Sequence, residues 1–539
     1  MQLNLTTPTT SGDDPQLAQF EKWTTDNDIG GKELPMVTLP SDEVTISQCA
    51  AQLFKVIGLT KRLFVRGGVV MKLTARDDGL LALAILRPAA ARSCFEKFAQ
   101  LYAWRVGPKG VMVLKPMICP QEMADALLQS QEASTLLPRV QGLINCPVIR
   151  EGDGKLEVAG PGYDEKTQLL ITGGRMPPTV ELEEAVSSLL GLFAEFDFQS
   201  EGDRARAVAS LITPALRMGG FLKRRVPADV AEADVSQSGK TYRQKLVAAV
   251  YNERVSLVTS HEGGVGSIDE SLNQQLVAGR PFIQFDNFRG RFESAHLEAF
   301  MTAEWSFPCR VPYGGQVNVP PENYFVFLSS NGVDTTRDFA NRSNIIRISK
   351  KAPGFVFQSY AEGDLLDHVR QRQDYYLGCI FAVIREWHRQ GMPRTDETRH
   401  DFREWVQVLD WIGQNIFKTV PVMAGHQQAQ ERVSNPALVW LRSLVLAINE
   451  EGELDEALTA TDLQEICDTA SIPIPGLRSG ADEGKGKKVI GTVMAKLFRE
   501  QPTLDVDAFT VTREEKYLAR DDIAEGGGFM SKTYTVRKR

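Results

Sequence analysis

The spacing of apolar positions changes several times along this chain, and each change predicts an element. Residues 1 to about 40 have no period; they are polar, rich in Pro, Thr and Asp, and read as a flexible tail. Next, "RLFVRGGVVMKL" sets two apolar runs about Gly67-Gly68, the pattern of a hairpin. "RSCFEKFAQLYAW" has apolar residues at helical spacing and predicts a helix. "EMADALLQSQEASTLLPRV" predicts a second helix, ended by Pro138. "INCPVIREGDGKLEVAGPGYD" breaks into short strands between Gly and Pro turns. "TVELEEAVSSLLGLFAEF" and "DRARAVASLITPALRM" are amphipathic helices.

From about Asp229 to Ile348 the period alternates between two and 3.6. "VSLVTS", "PFIQFD", "YFVFLSS" and "NIIRIS" are apolar runs of strand length, with "KTYRQKLVAAVY", "DESLNQQLVAG" and "SAHLEAFMTAEW" as helices between them. This predicts an α/β domain with a mostly parallel sheet. "PADVAEAD" is the poorest strand, short and carrying Glu232. A helical stretch follows ("DLLDHVRQRQDYYLGCIFAVIREWHRQG", then "HDFREWVQVLDWIGQNIF"). From about Pro436 come three helices and two alternating strands, "DAFTVTREEKY" and "FMSKTYTVRKR". Three helices with a two-stranded wing make a winged helix. The chain thus divides into a tail (1–40), an N-terminal α+β domain (41–180), an α/β core (181–350), a helical lid or connector (351–435) and a winged helix (436–539).

Composition narrows the class. The 539 residues are 42% hydrophobic and 24% charged, as in ordinary soluble globular proteins. No run of eighteen apolar residues predicts a membrane span, and the N-terminus lacks the regions of a signal peptide, so a cytoplasmic protein is expected. Seven cysteines and six histidines form no C-x-x-C or H-x-x-x-H pair, which argues against a zinc site or a disulfide framework. The net charge of −8 provides no global field for nucleic acid, so DNA binding must rest on local patches.

The candidate chemistry begins at "DVSQSGKTY". Gly239-Lys240-Thr241 is how a phosphate-binding loop ends, but Asp234 and Gln237 stand where glycines are usual. Some G-K-[ST] occurs by chance in roughly a quarter of chains this long, so context decides. A helix begins at the lysine, and its free first-turn N–H groups make an anion site. Ser238 to Tyr242 then form the nucleotide-binding set, with Lys240 bridging the β- and γ-phosphates of ATP and the Thr241 hydroxyl holding Mg²⁺. Asp286 ends a buried strand, where a Mg²⁺-organising carboxylate belongs; a helix-capping Asp is the other reading. Asn287 follows in place of the common glutamate, so Asp269 or Glu270 is left as the base that activates water. Asn331 ends a second buried strand, either to orient that water or simply to favour a turn. Of the downstream arginines, Arg347 lies within a strand and reads as structural, whereas Arg342 precedes it and can reach a neighbouring subunit.

The run from "DRARAVASLITPALR" through "GKT", "AGRPFIQFDN", "LSSN" and "DFANR" resembles helicase-like AAA+ ATPases of plasmids, prophages and cassette-type elements, which are similar to MCM and superfamily 3 replicative helicases. With the winged-helix pattern, the resemblance covers about residues 45–539. It implies an AAA+ P-loop core and a ring, usually a hexamer, with each active site between subunits. It makes Gly239, Lys240 and Thr241 Walker A, Asp286 the end of Walker B, Asn331 sensor 1 and Arg342 the finger that completes a neighbour's site. The activity it implies is ATP-dependent unwinding of, or translocation on, single-stranded or forked DNA alongside other replication proteins. An initiator, loader or remodelling switch without unwinding, or a non-catalytic DNA-binding scaffold, are the alternatives.

Two segments are candidates for DNA contact. "CRVPYGGQVNVPPENYFVFLSS" predicts a hairpin turning at Gly314-Gly315, with Arg310 at its base and Tyr313 and Gln316 at its tip; a purely structural hairpin is the alternative. In the helicases it resembles, such a hairpin points into the ring pore. The stretch Gly484–Arg499 has five basic residues and no acid. Lys485, Lys487 and Lys488, with Lys532, Arg537 and Lys538, make a candidate phosphate-binding face, or the solvated face of a protein-interaction module.

Overall fold

The computed structural model describes residues 34–76, 79–233, 237–258, 267–288, 291–311, 315–331, 333–475, 477, 483–499, 501–519 and 528–539. They form a mixed α/β fold in two compact units. The first comprises residues 1–288, 294–331 and 342–425; the second comprises 289–293, 332–341 and 426–539.

Unit one opens with β1 (Met36–Thr38) and α1 (Ile46–Thr60). The α1 helix starts where Thr45 and Gln48 cap each other's backbone amides. A meander follows of β2 (Leu63–Arg66), β3 (Val69–Ala75) and β4 (Leu81–Ile85), with the β2–β3 turn at Gly67-Gly68 as the sequence predicts. The helix predicted over "RSCFEKFAQLYAW" is only half right. α2 (Pro88–Glu96) stops, and β5 (Gln100–Val106) pairs with β1 on one side and β6 (Met112–Pro116) on the other. From Gln100 onward the apolar period is two: Leu101 and Ala103 are buried, and ladder pairing wins over helical spacing. The single helix predicted up to Pro138 is two, α3 (Gln121–Leu128) and α4 (Gln131–Leu136). The break comes at Ser130, whose hydroxyl accepts from the Ala133 amide and starts α4. Phe54, Phe95, Leu53 and Leu127 centre the core of this region.

Short strands follow: β7 (Gly142–Ile144), β8 (Val148–Gly152), β9 (Lys155–Ala159), β10 (Gly162–Asp164) and β11 (Leu169–Ile171). Then come α5 (Leu182–Gly191), β12 (Asp197–Phe198) and α6 (Glu201–Met218). The α/β alternation runs through β13 (Ala228–Ala233), α7 (Lys240–Val250), β14 (Ser256–Val258), α8 (Ile268–Ala278), β15 (Phe282–Phe288), α9 (Ala295–Thr302), the hairpin β17 (Phe307–Val311) and β18 (Gly315–Val319), β19 (Phe325–Asn331) and β21 (Ser343–Ser349). β16 (Arg291–Phe292) and β20 (Asp334–Thr335), which interrupt this series, pair with each other in unit two. The central sheet is six-stranded, in the order β12-β21-β13-β19-β15-β14. Only the edge strand β12 is antiparallel; the others are parallel, as predicted. The weakest sequence strand, β13, is fully buried between β21 and β19. Its Asp229 and Glu232 are buried with it, which is why it lacked the usual apolar look. Next come α11 (Leu365–Gln371), α12 (Gln373–Arg389) and α13 (Arg403–Ile412), which continues into a π turn at Gly413–Phe417.

Unit two contains α10 (Arg337–Asn341), α14 (His426–Ser434), α15 (Pro436–Glu451), α16 (Ala460–Thr469) and α17 (Glu483–Leu497). Its sheet has three strands, not the predicted two: β22 (Thr503–Val506), β23 (Phe509–Ala519) and β24 (Gly528–Lys538). The missed β22 turns into β23 through only Asp507-Ala508, with Asp507 in the left-handed region (φ 52°) that such tight hairpins require. Trp440, Leu444, Ile490, Met494, Tyr534 and Val536 form its core.

Candidate nucleotide site

The loop "QSGK" runs from Gln237 into α7. Gln237 (φ 63°) and Gly239 (φ 89°) both adopt the left-handed backbone. Of the two positions where the sequence lacks the usual glycine, Asp234 lies outside the described residues, and Gln237 takes the left-handed backbone at a cost of about 1–2 kcal/mol. Gly239 is the N-cap of α7, and among the described residues no side chain caps that end. The first-turn N–H groups, with the positive end of the helix dipole, therefore open onto the loop. A Cβ on Gly239 would come within 3.2 Å of the Phe196 ring, so two constraints keep glycine there.

Three side chains converge beside this helix end. The Thr241 hydroxyl donates to Asp286 Oδ1 at 2.6 Å, and the Ser329 hydroxyl donates to the same oxygen at 2.7 Å. The two hydroxyl oxygens are 3.1 Å apart. Asp286 lies near the carboxyl end of β15, and Ser329 near that of the adjacent β19. Lys240 is buried, with Nζ 3.4 Å from Ser238 Oγ. Burial pushes its ammonium pKa below the usual lysine value, while the negative charges of Asp286 and Glu232 work against that shift. Tyr242, half-buried, accepts the Leu366 amide at the start of α11 (2.8 Å), and burial pushes its phenol up to about 12.

A buried polar network holds α7 against the sheet. Arg243, fully buried, pairs with Asp229 of β13, which also accepts from Ser210 of α6. Gln244 Nε2 donates to the Asp229 carbonyl (3.0 Å) and the Leu328 carbonyl (3.1 Å), and Gln284 donates to Gln244 Oε1 (3.0 Å). One helix is thus bonded to β13, β19 and β15, the strands that lead to the loop, to Ser329 and to Asp286. Sequence reading missed Ser329, Glu232 and this network. The available signal was a pair of acids, Asp229 and Glu232, inside a short strand.

Asn331 is the last residue of β19 and pairs with Ala233, the residue before the loop. Glu270 sits in the first turn of α8, its amide bonded to the Ser267 hydroxyl. The Arg342 carbonyl accepts the Ala228 amide, at the opposite end of β13 from Lys240. Six residues of strand separate those ends, roughly 20 Å. Arg310 and Gln316 are exposed partners in the β17–β18 register, whereas Tyr313 and Gly314 lie outside the described residues. In unit two, Lys485, Lys487 and Lys488 are exposed on α17, and Lys532, Arg537 and Lys538 on β24. Arg537 is 3.3 Å from Asp455, and Lys532 lies opposite Glu515, so this face is less basic than its sequence suggests.

The donors beside Lys240 are all oxygens, a hydroxyl pair and a carboxylate, which suits Mg²⁺ with water and phosphate oxygens in the other positions. Among the described residues no group of three or more His, Cys, Asp or Glu side chains forms a metal cluster, and no helix is long and apolar enough to cross a membrane.

No family model matches the chain, and no curated protein matches it. Among solved structures, it is similar to the C-terminal region of NrS-1 in an apo form, with 11% identity and a TM-score of 0.33 over 90% of this chain and 99% of that one. It is also similar to the SCCmec type IV protein Cch, described as an active helicase, with 10% identity and a TM-score of 0.32 over 88% and 97%. Both similarities are low, and the chain's own geometry carries the functional reading.

Proposed function

We propose that this protein is an ATP-dependent DNA helicase or translocase that works as a ring in the replication of a mobile genetic element. The observation that carries the reading is the convergence of Thr241, Ser329 and Asp286 beside Lys240 at an uncapped helix N-terminus. An anion-binding helix end, a buried ammonium and an oxygen donor set at the carboxyl ends of parallel strands suit a nucleoside triphosphate with its cation. In this reading the α7 amides and Lys240 bind the phosphates, and Thr241 and Asp286 hold Mg²⁺. The bound cation offsets charge on the phosphate oxygens. Ser329 keeps the Asp286 carboxylate oriented. Asn331 positions the attacking water, and Glu270 accepts its proton. Arg342, at the far end of its own strand, serves the site of a neighbouring subunit and so requires a ring.

An AAA+ core with a winged-helix C-terminus is the architecture this reading implies. Arg310, Tyr313 and Gln316 then touch DNA from the hairpin, and the α17 and β24 cations touch phosphates. The test is ATP hydrolysis with and without single-stranded DNA, for the wild type and Lys240→Ala. The wild type is expected to hydrolyse ATP, faster with DNA, and Lys240→Ala is expected to be inactive. No hydrolysis by the wild type would sink the proposal. Hydrolysis indifferent to DNA, with no strand separation, would turn it toward an initiator or loader.

A further inference from the structure

The β17–β18 hairpin is a two-stranded sheet of its own. A lone hairpin is marginally stable in water, so its neighbours decide where it stands. One neighbour comes from far earlier in the chain. Gly67, in the β2–β3 turn, lies against the backbone of Asn318 on β18. A Cβ there would collide with the Asn318 carbonyl oxygen and come within 2.7 Å of that residue's amide nitrogen and carbonyl carbon. No rotamer relieves such a clash, so the contact demands glycine as firmly as the φ of 56° does. Gly68, the other residue of the turn, also has a positive φ (82°), yet among the described residues a Cβ there meets nothing within 4 Å. Both glycines shape the turn, and only the first touches the hairpin. Asn318 pairs with Pro308, two residues, roughly 7 Å, nearer the root than the Arg310–Gln316 pair. Its side-chain oxygen accepts from Gln316 Nε2 (3.2 Å).

Arg66, the residue before the turn, is fully buried and pins the root of the same hairpin. Its Nη1 donates to the carbonyls of Leu276 (2.7 Å) and Val277 (3.0 Å), in the last turn of α8. Its Nη2 donates to the Gln141 carbonyl (3.0 Å) and to the Tyr324 hydroxyl, which donates in turn to the Leu276 carbonyl. The last carbonyls of a helix, at the negative end of its dipole, suit a cation. The planar guanidinium fork reaches three segments from one place, as an ammonium would not. Tyr324 stands between β18 and β19. Its ring meets Phe300 edge-on (5.8 Å), and Phe300 meets Phe307, the first residue of β17, in the same way (5.3 Å). The helix α8 packs against both hairpin strands. Gly67 thus supports one strand of the hairpin, and Arg66 fixes the helix and the tyrosine at its root.

We propose that the β2–β3 turn is the seat of this hairpin, and that Gly67 and Arg66 are positioning residues that hold Arg310 and Gln316 where they engage DNA. The N-terminal region then takes part in DNA-stimulated hydrolysis, an inference that rests on the ATPase and hairpin assignments made above. The test follows ATP hydrolysis by the full chain against the concentration of single-stranded oligo(dT), for the wild type, Gly67→Ala, Gly68→Ala and Tyr324→Phe. The two alanine variants strain the same turn, but only Gly67→Ala pushes on β18. Gly67→Ala is expected to raise the half-saturating oligo(dT) concentration roughly tenfold or more, as the loss of one hydrogen bond to a charged group would. Its DNA-free rate and its KM for ATP are expected to stay at the wild-type values, and Gly68→Ala to match the wild type throughout. Tyr324→Phe, which removes only the hydroxyl that Arg66 holds, is expected to raise the half-saturating concentration roughly threefold. A folded Gly67→Ala protein that responds to oligo(dT) like the wild type would overturn the proposal. Equal shifts in the two alanine variants would also overturn it, by assigning the effect to turn strain, as would a DNA-free rate that falls in proportion. If Gly67→Ala misfolds by circular dichroism, an unchanged response in Tyr324→Phe overturns the proposal instead. A wild type that hydrolyses no ATP, or gains nothing from DNA, defeats the helicase reading and this inference with it, whereas failure in the variants alone leaves that reading standing.

Discussion

Ser329 is the least conspicuous member of the site and the most informative. Its hydroxyl bonds the same Asp286 oxygen as Thr241 does, so it fixes the carboxylate without adding charge. A hydrogen bond to a charged group is worth about 1.5–3 kcal/mol. Ser329→Ala is therefore expected to lower kcat/KM for ATP by roughly tenfold to a hundredfold, with Thr241→Ala more severe, measured by steady-state hydrolysis at saturating Mg²⁺. His400 supports a prediction about stability. The Phe402 amide donates to its Nδ1 (3.0 Å) and its Nε2 faces the Ser343 carbonyl (3.3 Å), so the neutral ring is satisfied on both sides. Burial pushes its pKa down from 6.5 to about 4. The unfolded chain thus takes up this proton first: the contribution is intact above pH 6.5 and is lost as pH falls toward 4. The loss amounts to roughly 3 kcal/mol. Urea unfolding at several pH values should show that slope in the wild type and a flatter one in His400→Gln.

At the scale of elements, α7 is held by polar bonds under its first turns as well as by apolar packing. Arg243 and Asp229 are both buried, so removing either leaves a buried charge without its partner. Asp229→Ala is expected to destabilise unit one by about 3–5 kcal/mol, read by chemical denaturation, and to weaken nucleotide binding because the loop rides on this helix. Much of this level was legible in the sequence. The alternation from Asp229 to Ile348, the Gly67-Gly68 turn and the β17–β18 hairpin all follow from local apolar period and glycine placement. The elements misjudged have two causes. β5 and β13 pair with strands distant along the chain, so local spacing misassigned the one and undervalued the other, whereas β22 is a four-residue edge strand in a two-residue hairpin, too short for its apolar period to register. For β13 the buried Asp229 and Glu232 hid an interior strand behind a polar composition.

At the scale of the whole molecule, the proposed ring makes one strong prediction. Arg342 and Lys240 lie at opposite ends of β13, so a single subunit cannot bring them together. Arg342→Ala and Lys240→Ala, each inactive alone, should regain part of the ATPase activity when mixed, because a mixed interface pairs an intact loop with an intact arginine. Absence of any recovery would count against a shared site. The sequence by itself determined the α/β alternation from Asp229 to Ile348, the glycine that opens α7 and the places of Lys240, Thr241 and Asp286 at the ends of those elements, because those depend on local backbone geometry. Only the tertiary structure decided that Ser329 joins them and that Glu232 lies buried on β13, close enough for its charge to act on Lys240. Each of those facts depends on which strands lie side by side, and neighbours in a sheet are set by burial and pairing across hundreds of residues, which no local pattern records.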